Sequence, residues 1–374
     1  MVMKLFKCAA VLLLSILALN IYGQSVGIPK KNWGLGFGNS TRFDGMRFNF
    51  IDNNIDKING INFTVWFNKD FEDYTGTFNG LGIGIPMAAG TAFRNGLSVG
   101  IFGVGAGKKL TGINIAGLAV GAGRDVAGVN LAGLAVGAGE NLYGLSVGGL
   151  AVGAGNEVRG INLSLLVVGA GNSLEGINLA GLVVGAGEDV SGLNIGGLVV
   201  GAGEEVNGIS ASVLVVGSGE NLTGISLAGL AVGAGESVTG INLAGLAVGA
   251  GESVKGVNIA GIAVGSGETL TGFNAAILGV GAPEVKGLNI ALAVGGENVS
   301  GMALAPAYFR IEEGELKGLS ISAFNHIKGN LNGASIGVFN YVHKINGVQI
   351  GILNYVRSNR KGLRLLPLFN ARFD

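Results

Sequence analysis

The chain has 374 residues, of which 72 are glycine and only 13% are charged, and its mean hydropathy is +0.53. Lys+Arg and Asp+Glu balance at 24 each, which leaves no basic field to recruit nucleic acid. Glycine interleaved with Ile, Leu and Val on a fixed period points to buried, repeated strands and excludes an ordinary mixed domain or a disordered linker.

The opening "MVMKLFKCAAVLLLSILALNIYGQ" sets Lys4 and Lys7 before an apolar run from Ala9 to Leu19, with Gly23 and Gln24 after it. This order predicts a secretory signal peptide over residues 1–24 and a single repeat-built β domain over 25–374. The only cysteine, Cys8, lies inside the signal, so 25–374 offers no disulfide, thiol nucleophile or thiolate metal site. No later apolar run is long and unbroken enough for a transmembrane helix.

Residues 25–111 read as irregular N-terminal strands. In "GMRFNFID", Met46, Phe48 and Phe50 oppose Arg47 and Asn49; in "GINFTVWFN", Ile61, Phe63, Val65 and Phe67 oppose Asn62, Thr64 and Trp66. That alternation is the period of a strand. The longest irregular connections are Asn68 to Phe78 and Ser358 to Lys361.

Residues 112–286 are regular. Gly112, Gly128, Gly144 and so on to Gly272 recur every 16 residues (128 − 112 = 16). Each repeat reads as one strand and one tight turn. Ile161, Leu163, Leu165 and Val167 fall on one face; Asn162, Ser164, Leu166 and Val168 fall on the other. The turn is Gly-Ala-Gly with a polar pair such as Glu140-Asn141 or Glu252-Ser253, where Gly, Asn and Asp accommodate positive φ. Helix is excluded, since each interior glycine costs roughly 1 kcal/mol relative to alanine. Over 287–374 the spacing shortens and the strands degenerate.

A strand from Val126 to Ala138 would span about 43 Å, and tilted by about 40° it would rise about 33 Å, near the hydrocarbon thickness of a bilayer. The chain is therefore expected to be all-β: an antiparallel up-and-down meander of about twenty strands closed as a barrel in an outer membrane, with lipid as its partner. Leu118, Val120, Leu134 and Val136 suit a watery lumen poorly, so the barrel is expected to be flattened. The alternative is a parallel β-solenoid with 16-residue coils. It would stack Asn114, Asn130, Asn162, Asn178 and Asn194 into an internal ladder and turn Val126, Leu142, Val158 and Leu174 inward. Against it stands the row Glu188, Glu204, Glu220, Glu236, Glu252 and Glu268, which a solenoid would align and a meander would divide between two rims.

The modules "GLSISAFN", "GASIGVFN" and "GVQIGILN", with the ending "GLRLLPLFNARF", resemble the surface-repeat proteins described in Leptospira and widespread in Bacteroidota. The signal ending "YGQ" also suits Bacteroidota. The resemblance covers roughly Gly45 to the C-terminus and implies an exported, envelope-associated protein. It supplies no functional residues, and the middle "GLAVGAG" block departs from "GLxIGxxN" by losing the late asparagine.

"GVGAGKK" from Gly103 fails the phosphate-loop spacing, because Phe102 and Lys109 occupy two of its required positions, and no nucleotide site is expected. His326 and His343 read as rim or interface residues. The glutamate row reads as solvated turn charge, although hard cations would want such oxygens if they were stacked. Tyr308, Phe309 and Trp66 are candidates for an interfacial aromatic belt or for ordinary strand packing. No catalytic, cofactor-binding or metal-binding residue is assigned, and no cofactor. The functional expectation is an exported, non-catalytic cell-envelope protein in or on the outer membrane; a passive pore and a surface-exposed β-solenoid interaction module are the alternatives.

Overall fold

The computed structural model describes residues 25–67 and 74–373. The signal-peptide reading of 1–24, and residues 68–73 of the Asn68–Phe78 connection, lie outside them. The chain divides into two compact units, Met1–Ala186 and Gly187–Asp374.

In the first unit each repeat makes two strands. Around Gly128 a long strand, Asp125–Ala132, is followed by a short one, Ala135–Ala138. Gly133 and Leu134 form the corner between them. The long strand lies parallel and in register between Lys109–Ala116 and Asn141–Gly148, and the short strand does the same between Ala119–Ala122 and Ala151–Ala154. Each repeat is thus one coil, bonded along both of its faces to the coil before and the coil after. The second unit is built alike: Ser237–Ala244 pairs in parallel with Asn221–Ala228 and Ser253–Ala260.

This architecture is a parallel β-solenoid, and it corrects the expectation of an antiparallel barrel. The physical reason is the corner. Gly133-Leu134 cuts the 13-residue run from Val126 to Ala138 into pieces of about 23 Å and 13 Å, so neither reaches across a bilayer. A second correction concerns glycine. Positive φ falls on the marker glycines inside the long strands (113° at Gly128, 124° at Gly240), not on the Gly-Ala-Gly segments. A Cβ at Gly128 would collide with the carbonyl oxygen of Gly112 in the coil below, so only glycine fits that column.

The interior is narrow. Each coil of the first unit from Gly112 onward turns in an aliphatic residue before the marker glycine, a polar residue after it and a valine from the short strand: Val126, Asn130 and Val136 in one coil, Leu142, Ser146 and Val152 in the next. The inward polar residues form the ladder that a solenoid predicts. Asn114 donates to Asn130 and Asn162 to Asn178, each at 2.9 Å; in the second unit Asn242, Asn258, Asn274 and Asn289 are joined by three such bonds. Ile161, which alternation placed opposite Asn162, is exposed. After each marker glycine the polar residue lies inside and its aliphatic neighbours outside, while Val126, Leu142 and their equivalents keep the rest of the interior apolar.

The first unit begins with an antiparallel hairpin, Ser25–Lys30 with Trp33–Gly38, whose second strand then joins Arg42–Ile51 in parallel. The second unit ends with Leu365–Arg372 laid antiparallel on Glu315–Val356.

Candidate interaction surfaces

The outward rows of the long strands and the corners after them are aliphatic. In the second unit Ile209, Ile225 and Ile241 make one exposed row, Leu227, Leu243 and Ile259 the next, and Leu230, Leu246 and Ile262 a third at the corner. The first unit repeats the pattern with Ile113, Ile115, Leu118 and Leu134. Between the second and third rows the corner glycines Gly229 and Gly245 leave a furrow of about 790 Å³, bounded by Ile195, Val213, Leu227 and Leu243. As the backbone stands at Gly245, a Cβ would run into the backbone oxygen of Gly229. At the same corner column Val213 and Ile277 replace glycine and stand well exposed.

The opposite corner carries charge. In the second unit Glu188, Glu204, Glu220, Glu236, Glu252 and Glu268 follow one another: the amide of each donates to the carbonyl of the one before at 2.8–3.0 Å. The aligned row that counted against the solenoid therefore exists. Its side chains reach into water, which screens them, while the backbone bonds are made regardless. The residual repulsion raises the Glu204 carboxyl above its ordinary value, chiefly through Glu220. The first unit mixes signs in this column, and Arg124 pairs with Glu140 at 3.1 Å. Among the described residues no group of three or more His, Cys, Asp or Glu is placed to hold a metal ion.

In the last coils of the second unit an aromatic cluster stands beside the aliphatic corner. Phe324 stacks on Phe339 (5.3 Å between centroids), Tyr341 on Tyr355 (5.3 Å), and His326 lies edge-on to Tyr341. Tyr308 Oη is 2.9 Å from His326 Nδ1. Burial, with Lys328 and Arg310 nearby, lowers the His326 pKa below the usual histidine range. His343 lies on an exposed position of another column, so the two histidines are not brought together. Of the three belt candidates, Tyr308 is half-buried and Trp66 exposed, whereas Phe309 is fully buried and belongs to the interior.

The first unit holds one feature the sequence reading missed: a buried charged cluster. Asp52 accepts from Arg47, from Asn49 and Asn62 at 2.9 Å each, and from Thr64 at 2.8 Å. Arg94 is also buried, donating through Nε to Ser98 at 2.8 Å, with its guanidinium 4.4 Å from the centre of the Phe78 ring. Burial lowers the Arg94 pKa to about 10, and Asp52 opposes that fall. The same burial raises Tyr74 to about 12. A faint signal was present: Gly82 interrupts the polar column Arg47, Asn62, Ser98, Asn114, and the Arg94 guanidinium occupies the space that a side chain at Gly82 would need.

Phe102 is an exposed corner residue and Lys109 opens a long strand, so "GVGAGKK" is one more coil. Among the described residues no helix is long and apolar enough to cross a membrane. Searches of protein-family models, curated proteins and solved structures gave no match for this chain.

Proposed function

We propose that the chain is an exported, non-catalytic repeat protein of the cell envelope that acts as a surface interaction module through long faces. The observation that carries this reading is the division of each coil into an uncharged edge and a polar one, repeated through each unit. Such rows recognise extended or continuous partners, as solenoids generally do, and they gather no convergent polar groups of the kind that orient a small substrate. The leader-like opening and the resemblance to the surface-repeat family support the address. The pore alternative rested on barrel closure and has lost that support.

Fractionation of cells making an epitope-tagged chain, followed by protease treatment of the intact cells, tests the proposal. The chain is expected in the envelope fraction and to be cleaved from outside. Recovery in the soluble cytoplasmic fraction overturns it.

A further inference from the structure

We propose that the uncharged edge binds lipid, laying the chain along a membrane surface with its acidic row facing water. The proposal deepens the envelope reading by naming the partner. In five successive coils of the second unit ten successive residues carry no charge: Leu193 to Ala202, Ile209 to Ser218, Ile225 to Ala234, Ile241 to Ala250 and Val257 to Ser266. The charges fall on the remaining residues, notably the row Glu188 to Glu268. Each of these coils is thus amphipathic across its width, and in-register stacking carries both edges from one to the next.

Size, shape and backbone chemistry together select the occupant. Seven coils between Leu193 and Leu292, at about 4.8 Å each, make an edge about 34 Å long. Wrapped about 25 Å around the corner, it presents on the order of 850 Å², above the patches that solitary soluble domains expose. The edge is convex, covering the end of one sheet, the corner and the start of the other. The same face of a second copy would cover one sheet and leave the Leu230–Leu246 corner in water, whereas a fluid acyl layer follows the curve.

The backbone amides there are already bonded. Gly245 N donates to Ala228 O at 3.1 Å, Leu246 N to Leu230 O at 2.8 Å and Ala247 N to Leu230 O at 3.1 Å. An added peptide strand finds no free amide to pair with at this corner, and hydrocarbon takes no hydrogen bond from these donors. The furrow above Gly229 and Gly245 leaves room for an acyl chain lying along the axis. Tyr341 and Tyr355, beside Phe339 and Leu353, add the amphipathic rings favoured at headgroup depth.

The test uses the full chain with Cys8→Ser and one added cysteine, labelled with an environment-sensitive fluorophore and mixed with phosphatidylcholine vesicles carrying a nitroxide on the acyl chain. At Leu246→Cys the emission is expected to shift to the blue and to be quenched at least twofold; at Glu252→Cys, on the opposite corner, it should do neither. Leu214→Glu with Leu230→Glu should weaken vesicle partition tenfold or more while leaving the far-ultraviolet circular dichroism unchanged. Equal quenching at both labels, quenching at neither, or lipid-independent cross-linking of two chains through Leu246→Cys overturns the proposal, the last assigning the edge to a second copy. A chain cleaved on intact cells whose Leu246→Cys label stays unquenched sinks this inference alone. A cytoplasmic chain whose label is quenched sinks the envelope reading alone.

Discussion

Asn242 donates through Nδ2 to Oδ1 of Asn258 at 2.9 Å, and Asn258 donates in the same sense to Asn274. Every bond in this run points toward the C-terminus, so the inner amides Asn258 and Asn274 are each fixed by both neighbours. Replacing Asn258 with alanine removes an acceptor from Asn242 and a donor from Asn274, all three residues being fully buried. The expected loss is about 2–4 kcal/mol, measured by urea unfolding. Ile259→Ala, next in sequence but exposed, should cost well under half of that.

The run has a defect that can be repaired. Ser210 Oγ, Ser226 Oγ and Asn242 Oδ1 are buried and lack a partner among protein atoms. Ser226 faces Asn242 in register. Ser226→Asn should therefore donate to Asn242 and lengthen the ladder by one rung, raising stability by about 1 kcal/mol and the thermal midpoint with it.

Two glycines of one repeat should respond oppositely to the same change. Gly128→Ala forces a side chain onto φ of 113° and into the Gly112 carbonyl, at an expected cost of about 3 kcal/mol or more. At Gly137 a new Cβ meets its nearest atom at 3.8 Å, an ordinary contact. Gly137→Ala should be neutral or slightly stabilising, both variants being compared with the parent by calorimetry.

Asp52 is the sole carboxylate among the described partners of the two buried guanidinium groups Arg47 and Arg94. Asp52→Asn keeps the shape and removes the charge, leaving both cations buried without compensation. The expected loss is about 3–5 kcal/mol, seen first as early melting of the first unit in hydrogen exchange.

The glutamate row gives a pH signature. Glu204 has a raised folded pKa, so its folded state holds a proton more tightly than the unfolded chain does. Its unfavourable contribution is present at neutral pH, fades as pH falls through the folded value, and is absent below the unfolded value. Glu204→Gln should therefore raise the melting temperature at pH 7, and the gain over the parent should shrink on acidification toward the carboxylate range or in high salt. A gain that grows on acidification would refute this account.

The period, the all-β class and the alternation along the long strands were legible because 16-residue spacing and two-residue alternation are properties of sequence alone. Strand direction was not. It depends on whether Gly133-Leu134 continues an extended run or turns a corner, and glycine permits both. The aligned carboxylates Glu188 to Glu268 misled because solvent weakens their repulsion, whereas each parallel corner gains a repeated set of backbone bonds such as Glu204 N to Glu188 O at 2.8 Å. The Asp52–Arg94 cluster was hidden for another reason: Arg47 looked like a polar-face residue, and no spacing rule announces that this face is the interior.

The marker-glycine columns have one more implication, for protein length. Any coil in either regular stretch offers the next the edge it received itself, so gain or loss of a whole repeat leaves both neighbours undisturbed. The spacings of 15 and 14 residues before Gly287 and Gly301 are absorbed at corners such as Ala282-Pro283. Copy number is therefore an evolutionary dial: chains with more or fewer turns would share one architecture and differ in reach.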